Sequence, residues 1–226
     1  MSEIPVITID GPGGSGKGTI AMLLAESLGW HLLDSGALYR LVAVAALDRD
    51  VSPNDEAGLA GVASNLDANF EVAGDGVEVQ LDGVCITSRL RAPETAEMAS
   101  RVAAHPAVRV ALADRQRAFR QPPGLVADGR DMGTVIFPDA ELKIFLTASA
   151  EARAERRYKQ LKEKGESVNL SRLFQEIKKR DERDRSRAVA PLMPADDAHV
   201  IDSTEMSIKE VLNAIHKLLN ESTLSI

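Results

Sequence analysis

Residues 6–19 read Val-Ile-Thr-Ile-Asp-Gly-Pro-Gly-Gly-Ser-Gly-Lys-Gly-Thr, which is strand, glycine-rich turn, lysine and helix start in that order. Val6, Ile7 and Ile9 place β-branched apolar side chains on both faces of the run, the pattern of a central strand in a parallel sheet. The glycines behind them let successive backbone N–H groups converge on one point, and the helix that follows adds unpaired N-terminal donors and its positive dipole end. A phosphate belongs there. Lys17 stands at the Gly-x-x-x-x-Gly-Lys spacing from which a mobile ammonium reaches β- and γ-phosphate oxygens. Gly11, Pro12, Gly13, Gly14, Ser15, Gly16, Lys17, Gly18 and Thr19 are therefore the expected cradle of a nucleoside triphosphate. The plainer reading, a βα turn that only closes a helix on a sheet, leaves the lysine unexplained. The residue after such a lysine is usually Ser or Thr, whose hydroxyl holds Mg²⁺. Here it is Gly18, so the ion is expected to be held mainly by phosphates and water, with no metal-ligand set of the protein's own.

The 226 residues, 44% of them hydrophobic, suffice for one good-sized core and a small appended module. Aromatics make up only 4%, so the core must be aliphatic, as suits helices layered on a parallel sheet. A net charge of −7 argues against affinity for nucleic acid polymers, which need basic surface. Yet roughly half of the 27 Lys and Arg fall between Arg153 and Arg187, so the basic patch suits a small concentrated anion. Cys85 is the single cysteine; it forms no internal disulfide and reads as a small buried hydrophobe. The chain enters its first strand without leader-like residues and has no apolar run of about 18 residues, so a cytoplasmic protein without a membrane span is expected. His31, His105, His199 and His216 fall in no metal or nucleophile spacing.

Taken in order, residues 17–28 are helical with Gly29 as the stop, and residues 30–33 are a short strand. That strand runs into Asp34-Ser35-Gly36-Ala37-Leu38-Tyr39-Arg40, where a helix begins. Ser35 and Tyr39 lie one turn apart and Arg40 adjoins, so one ligand-facing surface could use all three; capping, packing and a solvated charge explain them equally well. Residues 69–87 alternate apolar and polar between Gly74-Asp75-Gly76 and Asp82-Gly83, an antiparallel meander foreign to a parallel sheet. It reads as a small mobile insert. Residues 93–104 and 106–121 are two helices, each opened by proline.

Residues 125–128 make a third strand, ending in Asp128-Gly129-Arg130-Asp131-Met132-Gly133-Thr134. Asp128 can orient Mg²⁺ through water, Arg130 can fork onto a phosphate, and Asp131 can accept from an exocyclic amine such as cytosine N4. The competing reading is an internal ion-pair lattice. Residues 142–146 and 199–201 are further strands, and 150–164, 170–187 and 207–219 helices. Arg153, Arg156 and Arg157 suggest an arginine-bearing lid over about 153–170 that would keep water from the reaction. Arg180, Asp184 and Arg187 share one helical face, and Asp181 with Arg185 another.

Gly-Lys-Gly-Thr, Asp-Ser-Gly-Ala-Leu-Tyr-Arg and Asp-Gly-Arg-Asp-Met-Gly-Thr together resemble the bacterial-type cytidylate kinases, P-loop nucleoside monophosphate kinases. The resemblance spans nearly the whole chain. It implies ATP-dependent phosphorylation of CMP and dCMP by direct phosphoryl transfer, with no covalent intermediate, no nucleic acid or membrane partner and a monomeric chain. It implies a P-loop α/β fold with a five-stranded parallel sheet flanked by helices, core about 1–64 and 88–226, a nucleotide-binding insert about 65–87, and the helical lid. Lys17, Arg130 and Arg180 would be catalytic and Arg157 would join the ATP site. Ser35, Tyr39, Arg40, Ser100, Arg109, Arg130, Asp131, Arg180, Asp184 and Arg187 would bind the acceptor. Ser100, Arg109 and Arg187 would lie near the base, Asp184 on the ribose, and Arg40, Arg130 and Arg180 on the phosphate. Another small-molecule P-loop kinase, for adenylate or shikimate, and a non-catalytic nucleotide switch are the alternatives; no Asn-Lys-x-Asp guanine-reading motif supports the switch.

Overall fold

Val6–Asp10 (β1) is buried along its whole length, as a strand with apolar residues on both faces must be. The computed structural model describes residues 4–73, 76–90, 92–163 and 165–222. After β1 come Lys17–Leu28 (α1), His31–Asp34 (β2), Ser35–Asp48 (α2), Glu56–Ser64 (α3), Ala68–Ala73 (β3), Gly76–Leu81 (β4) and Val84–Cys85 (β5). Thr87–Leu90 (α4), Pro93–Val102 (α5), Pro106–Arg117 (α6) and Leu125–Gly129 (β6) follow. Met132–Ile136 is one wide π-helical turn, and Leu142–Thr147 (β7), Ala150–Glu163 (α7), Leu170–Arg185 (α8), His199–Asp202 (β8) and Ile208–Glu221 (α9) complete the order. The chain divides into two compact units, one formed by the segments before Ser35 and after Gln116, the other by the residues between.

In the first unit five strands form a parallel sheet in the order β2-β6-β1-β7-β8. Because β1 lies between β6 and β7 while the chain leaves it toward β2, the carboxyl end of β1 is a switch point, where open α/β sheets form their crevice. Ile7, Ile9, Val126, Leu142, Ile144 and Leu146 pack one face of the sheet against Ile20 and Leu24 of α1 and Val211, Ile215 and Leu219 of α9. α1 begins and ends at the residues expected from sequence. Gly29 closes it with φ 65°, while Trp30 N–H donates to Ala25 O at 2.9 Å. α9 starts from a capping box in which Ser207 and Glu210 satisfy each other's backbone donors. The stretch expected as a lid, about 153–170, is largely the body of α7.

In the second unit α2 is almost wholly buried, with Leu38, Leu41, Val42 and Val44 in its core, and packs chiefly against α5. The expected meander exists as the three-stranded antiparallel sheet β3-β4-β5, with Ala68 opposite Leu81 and Ala73 opposite Gly76. Of its first turn, Gly74 and Asp75 lie outside the described residues. The sheet is tied to its unit, since Val79, Leu81 and Ile86 are buried and α4 packs on β4. Its boundaries at about 65–87 therefore fall inside a larger body. Cys85 departs from expectation: it is exposed, because β5 is a two-residue strand whose residues are both on the surface.

A Cβ at Gly29 would meet nothing within 4 Å, so the left-handed backbone is the only obstacle to a side chain there. Gly29→Ala is expected to cost about 1 kcal/mol, read as a lower urea midpoint of the first unit, and Gly29→Asn less.

Candidate active site

The glycine-rich loop leaves β1 under tight constraint. A Cβ on Gly11 would stand 2.0 Å from the Leu146 carbonyl oxygen at the end of β7, so only glycine passes. Gly14 and Gly16 take φ of 81° and 95°, which L side chains rarely adopt. Two of the loop carbonyls are held by residues outside the loop: Gly13 O accepts from Arg153 Nη1 at 2.9 Å, and Ser15 O from Ser203 Oγ at 3.2 Å and Arg156 Nη1 at 3.4 Å. In a trans peptide the next N–H points the opposite way, so Gly14 and Gly16 N–H face away from these partners, toward the concave side. The glycine run thus takes the tight left-handed backbone that an anion cradle over residues 11–19 would need.

Three cations surround it. Lys17 is buried, 3.7 Å from Asp128 Oδ1 and 3.4 Å from Pro12 O. Its pKa is lowered to about 8, first by burial and then by the positive charges of Arg130 and Arg180, against the pull of Asp128 and Asp34. A Cβ on Gly13 would lie 3.4 Å from Arg130 Nη2 and 3.7 Å from Arg180 Nε, which places both guanidinium groups against the loop. Gly18 has the Asp128 carboxylate over it, with Oδ2 3.2 Å from where a Cβ would be.

Asp184 of α8 organises this side. It accepts from Arg130 Nε at 3.0 Å and from Arg187, its side chain 1% exposed. Burial alone would raise its pKa, but the charges of Arg130, Arg187 and Arg180 outweigh burial and hold it below the ordinary carboxylate value. The expected face of Arg180, Asp184 and Arg187 is thus assembled together with Arg130. Asp181 does not pair with Arg185 along its own helix; it takes Arg153 of α7 instead.

Asp10, Arg153, Arg156 and Ser203 escaped the sequence reading of the site or were misplaced by it. Asp10 ends β1 and accepts from Met132 N–H and Gly133 N–H, each at 2.8 Å, which ties the exit of β6 to the start of the loop. Burial raises its pKa to about 7, with Asp131 and Asp128 pushing the same way and the two N–H donors opposing. The signal was an acid on an otherwise apolar central strand directly before a glycine. Of the three arginines expected over ATP, Arg153 and Arg156 bond the loop, while Arg157 donates to Gln160 of its own helix at 2.6 Å.

Four of the remaining expected acceptor residues form a cluster or lie buried within the second unit. Arg109 of α6 lies over the Tyr39 ring, 5.6 Å from its centroid, and donates to Ala103 O at 3.2 Å. Ser35 Oγ donates to Gln116 Oε1 at 2.7 Å, so this hydroxyl is engaged inside the unit rather than presented outward. Ser100 is buried and its hydroxyl has no hydrogen-bond partner among the described residues. Arg40 is half-buried.

The family model for cytidylate kinase matches residues 7–221. The chain belongs to the cytidylate kinase family. The cytidylate kinase of Aeromonas hydrophila subsp. hydrophila is 62% identical over 208 residues, covering 92% of this chain and 90% of that protein. That of Klebsiella pneumoniae is 59% identical over 211 residues, 93% of each chain. That of Colwellia psychrerythraea is 57% identical over 221 residues, covering 97% and 98%. Membership fits the geometry of the first unit, since a nucleotide kinase must hold several phosphate charges at one loop.

Lys17 loses its charge as pH rises through about 8 in the free enzyme. kcat/KM for ATP is therefore expected to be level below that pH and to fall about tenfold per unit above it. Lys17→Arg, which stays charged, is expected to abolish the fall even if it lowers the plateau; a pH–rate series on both proteins checks this.

Proposed function

We propose that this chain transfers the γ-phosphoryl group of ATP to CMP and dCMP, giving CDP and dCDP. The observation that carries the reading is the placement of Lys17, Arg130 and Arg180 around the outward-braced loop in a chain of this family. Two unit charges about 4 Å apart interact by roughly 4 kcal/mol at an effective dielectric near 20, so two nucleotide phosphates approach only where cations offset them. The loop amides and Lys17 hold the donor phosphates. Arg130 and Arg180 bind the acceptor phosphate and stabilise charge on the transferring group, with Arg40 as a further phosphate contact. Catalysis is alignment and charge stabilisation, and no side chain forms a bond to the phosphoryl group.

Asp128 is the residue that would hold Mg²⁺. A single carboxylate suits a hard cation that keeps several waters and takes phosphate oxygens as ligands. When bound, the ion neutralises charge on the donor phosphates. Arg157, half-buried on α7, is retained as an outer ATP contact. Asp131, Ser100, Arg109 and Arg187 are assigned to the base, Asp184 to the ribose, and Ser35 and Tyr39 to shaping the acceptor-side surface of the second unit.

A coupled assay with ATP and a panel of CMP, dCMP, UMP and AMP tests this. CMP and dCMP are expected to be the good acceptors, and activity confined to AMP, or turnover without any acceptor, would overturn it. Asp131→Asn is expected to narrow the preference for CMP over UMP by roughly 10- to 100-fold in kcat/KM, because a carboxamide can present either a donor or an acceptor to the base. KM for ATP should change little in the same variant; equal losses toward both acceptors would remove Asp131 from the base site.

A further inference from the structure

Arg153 is 2% exposed and Asp181 6%, and between them they join three elements of the first unit. Arg153 Nε donates to Ala148 O just beyond β7 at 3.0 Å, and Nη1 to Gly13 O at 2.9 Å and Asp181 Oδ1 at 3.0 Å. Its Nη2 completes the fork onto Asp181 Oδ2. Since a guanidinium is planar, these bonds fix the angle between the loop, the end of β7 and α8 as well as their separations. The loop also rests on the arginine's stem, for a Cβ on Gly14 would lie 3.4 Å from Arg153 Cβ.

Stability is a poor account of this arrangement. A buried ion pair loses most of its attraction to desolvation, and apolar side chains of similar volume commonly do as well or better. What apolar side chains could not do is hold Gly13 O. Gly13 is thereby fixed from two sides, its carbonyl by Arg153 and its Cα flank by Arg180. Asp181 precedes Asp184 by three residues and follows Arg180 directly, so any movement of Asp181 moves both on the same rigid helix.

We propose that Arg153 and Asp181 are positioning residues that keep the donor-phosphate loop in register with the acceptor-binding residues of α8. This role rests on the reading of residues 11–19 and Arg180 given above. Neither residue need touch a nucleotide: Arg153 bonds the loop from its carbonyl side, away from the cradle. In-line transfer is sensitive to placement, and a displacement of about 1 Å can lower the rate roughly 100-fold. The pair therefore acts on kcat, through alignment of the ternary complex, more than on the affinity for either nucleotide.

The test compares the parent protein with Arg153→Lys, Asp181→Asn, Asp181→Glu, the double variant Arg153→Lys/Asp181→Asn, and Lys17→Met as a control. Initial rates are measured over a grid of ATP and CMP concentrations, beside thermal unfolding by circular dichroism. Each single variant of the pair is expected to lower kcat about tenfold or more while both KM values stay within about threefold. The double variant is expected to be no worse than the poorer single one, because the two residues act as a unit. Asp181→Glu keeps the charge and adds one methylene, so it reads register even where Arg153→Lys does not fold. A kcat within twofold of the parent in the folded variants, whatever the melting temperature, overturns the proposal. So does a rise confined to KM for ATP, or losses in the double variant that multiply. Lys17→Met separates the two levels: if it leaves kcat/KM untouched, the loop is not the donor site and the proposal falls with that reading. If Lys17→Met is inactive and the pair's variants are not, only the positioning role fails.

Discussion

Positive charge is crowded at the end of β1, and the rest of the first unit makes that crowding tolerable. Lys17 is buried and lies in the field of Arg130 and Arg180, and burial first, then those charges, make it bind its proton less tightly than a free lysine. Two acids temper them from different elements, Asp128 at the end of β6 and Asp184 on α8. At 3.7 Å and an effective dielectric near 20, one such opposite pair is worth about 4 kcal/mol before desolvation is counted. A polyphosphate supplies what the two acids do not, further negative charge at the centre, so the free enzyme is poised for an anion.

Strand register decides whether those acids arrive. Ile9 stands beside Asp128 and Asp10 beside Gly129 in the β1–β6 pairing. Neighbouring residues in register share a face of the sheet, so Asp128 emerges on the α1 side, next to Lys17 and Gly18. Asp10 emerges on the other side, where it takes the Met132 and Gly133 amides. A slip of β6 by one residue would carry Asp128 to the opposite face and leave the lysine without its partner. The aliphatic side chains that set this register, Ile7, Ile9, Val126 and Ile144, carry no charge themselves, yet they place the charges.

What was legible in the sequence was local. The limits of α1, the Gly29 stop, the five parallel strands and the helical face of Arg180, Asp184 and Arg187 all follow from spacing over a few residues. The groups that brace the loop do not. Arg153 meets Gly13 across 140 positions and Ser203 meets Ser15 across 188, and a buried arginine on α7 carries the same local pattern as a solvated one. The helix also misleads by its own regularity. Asp181 and Arg185 are well spaced for an intrahelical pair, but Asp181 is buried and Arg185 exposed, so the acid bonds the arginine that is buried with it. Cys85 departs from its expected burial for the converse reason: thiols are usually inside, but a two-residue strand has little interior to offer.

The glycine where a hydroxyl usually follows the lysine is explained by the same geometry. A side chain at position 18 would start 3.2 Å from Asp128 Oδ2, close enough that the carboxylate would have to give by a few tenths of an ångström. Gly18 and Asp128 are therefore two halves of one arrangement, in which the strand-end carboxylate occupies space that a Ser or Thr would otherwise fill. The exchange is not neutral. A hydroxyl brings no charge, whereas the carboxylate brings a fixed negative charge among Lys17, Arg130 and Arg180. In a loop that collects this much positive charge, the acid is the better partner, and a glycine at position 18 leaves it room.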